Sequence, residues 1–372
     1  MADRTRVLVV TDEMEVGGTQ RQIVHLLSAL DRTRWEPALM FFRNPSFLVD
    51  RLEAAGVPIS HVAKQRRFDL GFIGALAAQL RRGRYDIIQC FSLTAELWVR
   101  ALLPFVPRTA FVASIRGLFH VYTPRQWQIK RWILRRCNFA IANTHAGARE
   151  TSTRTGFPLE RIVVIPNGVA LPEPLDEATL AHARAELDLS GARPVALFVG
   201  RLVVEKNLPL LLDALAEMPA ARRPLLLVAG SGELEIPLKA HADARGLGLD
   251  VRWLGERRDT LQLMRLADVL VLPSLEEGLS NVLLEAMSAG CAVLASDAGG
   301  NVELIDDGRT GLLFPSGSRA ELVDALTRLC TDVALRRRVA DAARQEIVAH
   351  YAIPSMVAAT EAAWLSAMER RA

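Results

Sequence analysis

Short apolar runs alternate along the chain with stretches in which apolar residues recur every three to four positions. Residues 6–10 form the first run, and residues 22–30 carry the helical spacing that follows it. Short apolar runs predict buried strands, whereas a period near 3.6 predicts amphipathic helices. Strands and helices that take turns through short connections are typical of parallel, doubly wound sheets, so the predicted fold class is α/β.

The alternation is interrupted near the middle of the chain. The segment from Pro166 to Gly168 is followed closely by two more prolines, a composition that indicates a linker. With 372 residues, 50% of them hydrophobic, the chain is long enough to bury two cores of ordinary size. We therefore expect two domains, residues 1–168 and residues 169–351.

One β-loop-α-β unit carries acid in its loop. The strand at 269–272 leads into a turn with Glu277 and Gly278, and the helix that follows contains Glu285. At ~1.5 Å per helical residue, Glu285 is expected roughly 12 Å beyond Glu277. Carboxylates at that separation could hold two ends of a long polar ligand, with helix N–H groups binding a phosphate between them. Alternatively, Glu277 complements the helix dipole and Glu285 is a solvated surface residue.

The same helix is expected to face its sheet with an apolar stripe. Val282, Leu283, Ala286, Met287 and Gly290 recur at helical offsets, which places Asn281 and Glu285 on a different stripe.

A cationic pair follows the strand predicted at residues 194–199. Arg201 and Lys206 lie between that strand and the next helix. A guanidinium offers paired donors and an ammonium offers a point charge, and together they suit a pyrophosphate. The alternative is ordinary surface charge.

Two glycine turns also follow predicted strands. Gly17 and Gly18 precede the helix at 22–30, and Gly230 and Gly232 follow the strand at 225–229. Glycines let a backbone approach a ligand closely, although the first turn could be a plain glycine turn before a helix. The first turn lacks the G-x-G-x-x-G fingerprint, which disfavours a nicotinamide or flavin cofactor. We expect Thr19 to cap the helix that follows it.

Charged side chains near the end of another strand are candidates for lining a ligand site. Arg116 and His120 follow the strand predicted at 109–114, and doubly wound folds bind ligands at strand ends. His145 is a third candidate, although the first turn of a helix explains it equally well.

Composition and charge exclude several classes of protein. A net charge of +3 is too small to indicate nucleic-acid binding. The sequence contains neither a membrane-spanning apolar run nor a signal-peptide core, so we expect a cytoplasmic location. Its four cysteines fit neither metal-site nor disulfide spacing and are expected to be buried apolar residues.

One predicted helix combines basic and aromatic residues. Residues 125–136 interleave two tryptophans and several aliphatic residues with five basic residues, Lys130 and four arginines. Such a helix could rest on anionic lipid headgroups. An ordinary amphipathic helix with a solvated basic face is the alternative.

The ordered set of motifs resembles the family 4 glycosyltransferases, which are retaining enzymes with the GT-B fold. The resemblance rests on E-x7-E from Glu277 to Glu285, on the A-M-S-A-G, G-G-N-V-E and D-G-R-T-G-L-L-F segments after it, and on G-R-L-V-V-E-K-N and E-V-G-G-T-Q before it. It implies two Rossmann-like domains that face each other across a cleft. The first would bind the acceptor and the second the nucleotide-sugar donor, with a C-terminal helix, 352–372, that returns to the first domain.

The resemblance also implies roles for individual residues. Arg201 and Lys206 would neutralise the leaving diphosphate, Glu277 would hold the donor sugar, and Glu285 would bind the ribose. The Gly17–Gly18 loop would face the donor phosphates. Further donor contacts would come from a set of loop and helix-start residues, namely Gly230, Gly232, Arg257, Gly278, Leu279, Ser280 and Asn281.

The sequence departs from the family at the strand that precedes Arg116. Family members often have a histidine just past this strand, and Arg116 occupies roughly that position. Either Arg116 or His120 would then orient the acceptor or the donor sugar.

The predicted function is that of a metal-independent, retaining hexosyltransferase without a cofactor. It would use a UDP- or GDP-sugar and a glycan or lipid-linked acceptor, in cell-surface polysaccharide or glycolipid synthesis. A peripheral contact with anionic membrane remains open. The alternatives are a degenerate nucleotide-sugar-binding or scaffold protein and a GT-B epimerase.

Overall fold

The chain divides into two compact units. The computed structural model describes residues 4–66, 69–106, 109–117, 122–173, 175–189, 191 and 193–369. Unit 1 comprises the chain up to Gly168 together with the chain from Ile353 onward, and unit 2 runs from Val169 to Ala352.

Unit 1 is built on a seven-stranded sheet in which every pair of neighbouring strands is parallel. The spatial order is β3-β2-β1-β4-β5-β6-β7. The strands are β1 (Thr5–Val10), β2 (Trp35–Phe41), β3 (Ile59–His61), β4 (Ile87–Cys90), β5 (Ala110–Ile115), β6 (Phe139–Ala142) and β7 (Ile162–Val164).

Helices cover the two faces of this sheet, so its strands are apolar on both sides. Most of these helices begin with a polar cap, such as Ser92 before α4 or Thr123 before α5. The helices of unit 1 are α1 (Gly18–Ala29), α2 (Phe47–Ala54), α3 (Leu70–Gly83), α4 (Leu93–Leu102), α5 (Pro124–Leu134), α6 (His145–Thr155) and, at the C-terminal end, α15 (Ile353–Glu369).

Helix α15 completes the core of unit 1 and packs against α1 and β5. Trp364 is fully buried, and its ring lies edge-on to Trp35 with 5.3 Å between the ring centroids. Its indole nitrogen donates to Gln89 Oε1 at 2.8 Å. Pro354 lies in the first turn of this helix, where a missing N–H is tolerated, so it causes no kink.

Unit 2 repeats the architecture with six parallel strands in the order β10-β9-β8-β11-β12-β13. The strands are β8 (Val195–Val199), β9 (Leu225–Ala229), β10 (Val251–Gly255), β11 (Val269–Leu272), β12 (Ala292–Ser296) and β13 (Leu312–Phe314). The prediction of two doubly wound α/β domains is confirmed.

Eight helices are described in unit 2, and their apolar faces form one core on each side of the sheet. They are α7 (Glu177–Glu186), α8 (Leu208–Glu217), α9 (Glu235–Ala244), α10 (Thr260–Leu266), α11 (Asn281–Ala289), α12 (Asn301–Leu304), α13 (Arg319–Thr331) and α14 (Val333–His350). Within the described ranges, no helix of either unit combines the length and apolarity that a bilayer crossing requires.

The strand order reverses once in each sheet, between β1 and β4 in unit 1 and between β8 and β11 in unit 2. Doubly wound sheets bind ligands beyond the carboxyl ends of their strands at this reversal. In unit 2 these two strands lead directly to Arg201 and to the loop that carries Glu277. The fold therefore brings both predicted motifs to one edge of one sheet.

Candidate functional site

An ion pair joins the two motifs of unit 2. Lys206 Nζ contacts Glu277 Oε1, although the residues are separated by 71 positions in the chain. Both side chains are partly accessible, with 20% and 11% of their side-chain surface exposed. Glu277 Oε2 has no hydrogen-bond partner among the residues that the structure describes, so one carboxylate oxygen is available to a ligand.

A serine fixes the orientation of the Glu277 carboxylate. Ser274 is fully buried and donates from Oγ to Glu277 Oε1 at 2.7 Å. Ser296 Oγ in turn donates to the Ser274 carbonyl at 2.5 Å, and Asn301 Nδ2 donates to the Ser296 carbonyl at 3.0 Å. The sequence prediction overlooked Ser274, whose only signal is its position just after β11, three residues before Glu277.

Glycines let a second loop close on the backbone of Glu277. Gly299 has a φ of +56°, and a Cβ there would overlap the Glu277 carbonyl oxygen. The next residue, Gly300, donates its N–H to the carbonyls of Glu277 at 3.3 Å and Gly278 at 3.0 Å. Any larger residue at Gly299 would displace the loop that carries the carboxylate.

Arg201 precedes Lys206 by five residues and is exposed. It forms no ion pair with an acidic group in the described part of the chain. The segment around it is held by the Gly230–Gly232 turn, because the Leu202 N–H donates to the Ser231 carbonyl at 2.9 Å. A Cβ at Gly230 or Gly232 would overlap the backbone of this segment. The two glycines therefore have a structural reason to be glycine, and their predicted donor contact stays a prediction.

Helix α11 begins later than the sequence suggested. It starts at Asn281 with Ser280 as N-cap, so Glu277 precedes it by a loop that includes Gly278 and Leu279. The expectation of a continuous helical rise from Glu277 to Glu285 is therefore wrong. Gly290 is also outside the helix, where it forms the left-handed C-cap with a φ of +79°.

Arg257, one of the predicted donor contacts, is bonded to a residue of its own loop. Its Nε donates to Asp259 Oδ1 at 2.8 Å, and its Nη2 donates to Asp259 Oδ2 at 2.5 Å. These bonds raise the pKa of Arg257 and lower the pKa of Asp259. Two parallel hydrogen bonds to one carboxylate therefore hold the guanidinium in place.

The glycine loop of unit 1 lies where it was predicted, between β1 and α1. Gly17 is the N-cap of α1 with extended backbone, and Gly18 is the first helical residue. Thr19 is inside the helix and no side chain caps it, so the predicted Thr19 cap is wrong.

Arg116 lies directly beyond the end of β5, half-buried. Its Nη1 donates to Asn167 Oδ1 at 2.9 Å, and its guanidinium carbon lies 4.7 Å from the centroid of the Phe91 ring. Burial lowers the pKa of Arg116 to about 10. His120 lies outside the described residues, and His145 is the first residue of α6.

The basic helix of unit 1 differs from its prediction at one position. Lys130 is buried, and its Nζ lies 2.6 and 2.7 Å from the two carboxylate oxygens of Glu96 on α4. It also donates to the Ser114 carbonyl at 3.2 Å, while the Ser114 N–H donates to Glu96 at 3.1 Å. Lys130 therefore belongs to the core and adds nothing to a solvated basic face.

Other sequence expectations concern metals and thiols. In the residues that the structure describes, no group of three or more His, Cys, Asp or Glu side chains could hold a metal ion. All four cysteines are free and buried. Burial raises the pKa of each thiol, which suppresses thiolate chemistry.

Two family models match successive parts of the chain. The Glycosyltransferase Family 4 model matches residues 16–172, and the Glycosyl transferases group 1 model matches residues 181–346. The first match lies within unit 1 and the second within unit 2, apart from the junction.

Characterised relatives include two bacterial glycosyltransferases. The lipopolysaccharide core biosynthesis glycosyltransferase LpsE of Rhizobium meliloti is 25% identical over 90% of this chain and 92% of its own length. The alpha-D-kanosaminyltransferase of Streptomyces kanamyceticus is 34% identical, but over 48% of this chain and 46% of its own length.

Among solved structures, Anabaena Alr3699/HepE in complex with UDP-glucose has the same fold. Its TM-score is 0.87 at 22% identity, over 96% of this chain and 99% of that chain. The predicted GT-B fold class is thereby confirmed. With both family models matching in order, the chain belongs to the family 4 glycosyltransferases of the group 1 type.

Proposed function

We propose that this enzyme transfers a hexose from a nucleoside diphosphate sugar to a glycan or lipid-linked acceptor, in cell-surface polysaccharide or glycolipid synthesis. The observation that carries the proposal is the Lys206–Glu277 pair beyond the two central strands of unit 2. It puts a phosphate-binding ammonium beside a carboxylate with one oxygen available. The UDP-glucose bound by Anabaena HepE and the lipopolysaccharide core role in the name of LpsE support the substrate classes.

Donor binding exchanges the partners of this pair. Lys206 and Arg201 turn to the diphosphate, and Glu277, still held by Ser274, accepts hydrogen bonds from sugar hydroxyls. Glu285 binds the ribose, and the loop from Gly278 to Asn281 contributes N–H groups. The charge on the departing diphosphate is neutralised by side chains, without a metal.

Transfer proceeds with retention of the anomeric configuration. The bond between the anomeric carbon and the diphosphate oxygen breaks, and the acceptor oxygen bonds to the same face. The departing phosphate takes the acceptor proton. The N-terminal unit supplies the acceptor contacts, with Arg116 among them.

A donor screen tests the proposal directly. Melting temperature is measured with UDP-, GDP- and ADP-glucose, because a ligand that binds the native state raises it. We expect the UDP- or the GDP-sugar to raise it, and Lys206→Met to abolish the shift. If none of the three stabilises the native protein, the proposed donor class is wrong.

Two further measurements test the chemistry. Activity that survives EDTA agrees with metal independence, and activity that EDTA abolishes contradicts it. Product NMR reports the anomeric configuration, and an inverted product contradicts retention.

The proposal includes contact of unit 1 with anionic membrane. Trp132 on α5 is 38% exposed, with the Arg100 guanidinium 4.2 Å from its ring centroid, and Arg131, Arg135 and Arg136 are exposed nearby in sequence. Tryptophan and arginine suit a headgroup layer. Flotation with phosphatidylglycerol vesicles tests this surface, and equal binding by wild type and Trp132→Ser with Arg136→Gln would contradict it.

A further inference from the structure

Arg116 is held rigidly at the ligand-binding edge of unit 1. One edge of its guanidinium donates to Asn167, which is 4% exposed, and its face stacks on Phe91. The next residue, Gly117, has a φ of +92°, a backbone conformation that favours glycine. The Nε of Arg116 is buried and has no hydrogen-bond partner among the described residues. A guanidinium fixed in this way loses little conformational entropy when it binds a planar partner.

No counter-charge accompanies this guanidinium. No carboxylate in the described part of the chain lies within ion-pair distance of Arg116, and burial is the one cause that lowers its pKa. Residues 118–121, which follow it, are Leu, Phe, His and Val, so none of them is acidic. By contrast, Arg6 and Arg43 in the same unit each have an acidic partner.

A half-buried cation without a counter-charge is costly, and an oxyanion from a ligand removes that cost. Arg116 lies at the carboxyl end of β5, which pairs with β4 and is therefore one strand away from the reversal between β1 and β4. Ligands of doubly wound folds bind at this edge. The donor diphosphate already has its proposed cations, Arg201 and Lys206, in unit 2.

We infer that Arg116 binds a phosphate or carboxylate group carried by the acceptor, so the acceptor of this enzyme is itself anionic. This inference rests on the proposed transferase function and adds the chemical class of the acceptor. Arg116 forms a two-point contact with the oxyanion, while Asn167 and Phe91 hold the guanidinium in place.

The test is an NMR titration of the full chain with two probes. Inorganic phosphate is followed by 31P NMR and 13C-labelled acetate by 13C NMR, each with the donor site saturated by UDP and the ionic strength held with chloride. We expect one of the two probes to bind once per chain in the wild type. Its affinity should fall at least tenfold in Arg116→Gln and less in Arg116→Lys, which keeps the charge but loses the planar pair of donors.

A matched control is available in the same unit. The Arg51 guanidinium lies 5.0 Å from the centroid of the Phe47 ring, but Arg51 is exposed. Arg51→Gln should bind the probe as the wild type does. Melting temperatures of all variants check the fold, and if Arg116→Gln does not fold, the weaker binding of Arg116→Lys decides.

Two outcomes would overturn the inference. One is equal affinity of wild type and Arg116→Gln for both probes. The other is a probe that UDP displaces, together with UDP binding that is itself tenfold weaker in Arg116→Gln, which would assign the oxyanion to the donor. If UDP does not bind the wild type, GDP takes its place. If neither nucleotide binds, the proposed donor class is wrong, and the same titrations without nucleotide still decide the role of Arg116.

Discussion

Each unit contains a lysine–glutamate pair that bridges distant segments, and the two pairs differ in how completely they are satisfied. In unit 1, Lys130 and Glu96 have 2% and 0% of their side-chain surface exposed, and Lys130 contacts both carboxylate oxygens. In unit 2, Lys206 and Glu277 are 20% and 11% exposed, and Lys206 contacts one oxygen, the one that Ser274 also binds.

This difference is the basis on which we propose that the first pair is structural and the second binds a ligand. Lys130 and Glu96 bond to each other and to the Ser114 backbone, so the pair offers no hydrogen-bonding group to a ligand. Burial raises the pKa of Glu96, and the nearby Lys130 opposes that shift. The second pair leaves one carboxylate oxygen and a partly exposed ammonium, which are the groups that the proposed donor would bind. Residue type alone does not distinguish them.

The largest expected effect comes from breaking the buried pair. Lys130→Met leaves the Glu96 carboxylate buried without its partner, which should lower the free energy of unfolding of unit 1 by about 3–5 kcal/mol. Urea unfolding followed by tryptophan fluorescence measures this, because every tryptophan except Trp253 lies in unit 1. The double variant Lys130→Met with Glu96→Leu should recover most of the loss. A double variant as unstable as the single one would contradict this account.

Breaking the Lys206–Glu277 pair should affect activity rather than stability. Lys206→Met should lower kcat by about 10²–10³-fold, since the leaving diphosphate loses a cation, and should change the free energy of unfolding by less than about 1 kcal/mol. The measurements are nucleotide release from the donor and urea unfolding. Lys239→Met is the control, because Lys239 pairs with Glu235 on the surface of the same unit. Wild-type turnover in Lys206→Met would remove this residue from the site.

Ser274→Ala tests the Lys206–Glu277 pair without removing either charge. Glu277 loses the hydroxyl that orients it, so we expect kcat/KM for the donor to fall about tenfold, in the range of one hydrogen bond to a charged group. The loss should appear mainly in KM. Ser288→Ala serves as the control, because this buried hydroxyl donates to the Glu285 carbonyl at 2.8 Å and does not touch Glu277. Equal losses in the two variants would mean that Ser274 acts through folding alone.

The smallest effect belongs to a third pair, Arg257 with Asp259, whose side chains are each 35% exposed. Hydrogen bonds from Arg257 lower the pKa of Asp259 from its ordinary 3.8. The folded state therefore binds this proton less readily, so the stabilisation is present above pH 3.8 and is lost as the pH falls through the folded pKa. We expect about 0.5 kcal/mol, because solvent screens the pair.

The measurement for this pair is the melting temperature of wild type and Asp259→Asn between pH 6 and pH 3. The advantage of the wild type should shrink toward the acid end and in high salt. An advantage that grows as the pH falls would have the wrong sign.

Local patterns predicted the sheets better than they predicted side-chain environments. Apolar runs identified the strands because parallel strands buried on both faces are continuously apolar. Lys130 was expected on an exposed basic face, against lipid headgroups or solvated. Its partner, Glu96, precedes it by 34 residues, and no helical period can reveal a partner on another helix.

The candidate site was predictable to the extent that its residues are charged and follow strands. Arg201, Lys206 and Glu277 satisfy both conditions. The structure brings Lys206 and Glu277 into contact as an ion pair. Ser274 satisfies only the second, and a serine after a strand has many ordinary explanations. The late start of α11 was not predictable, because several polar residues in the same loop could serve as its N-cap. The structure shows that Ser280 is the one that does.

The contribution of α15 to unit 1 has a consequence for synthesis on the ribosome. Unit 2 is one continuous segment and can fold as soon as it emerges, whereas the Trp35 core lacks Trp364 until α15 is made. At about 5–20 residues per second, the interval between the two parts of unit 1 lasts roughly 10–40 s. During that time the seven-stranded half carries an unfilled apolar site, so the first half of the chain to be translated is the last to mature, and chaperone demand should concentrate there.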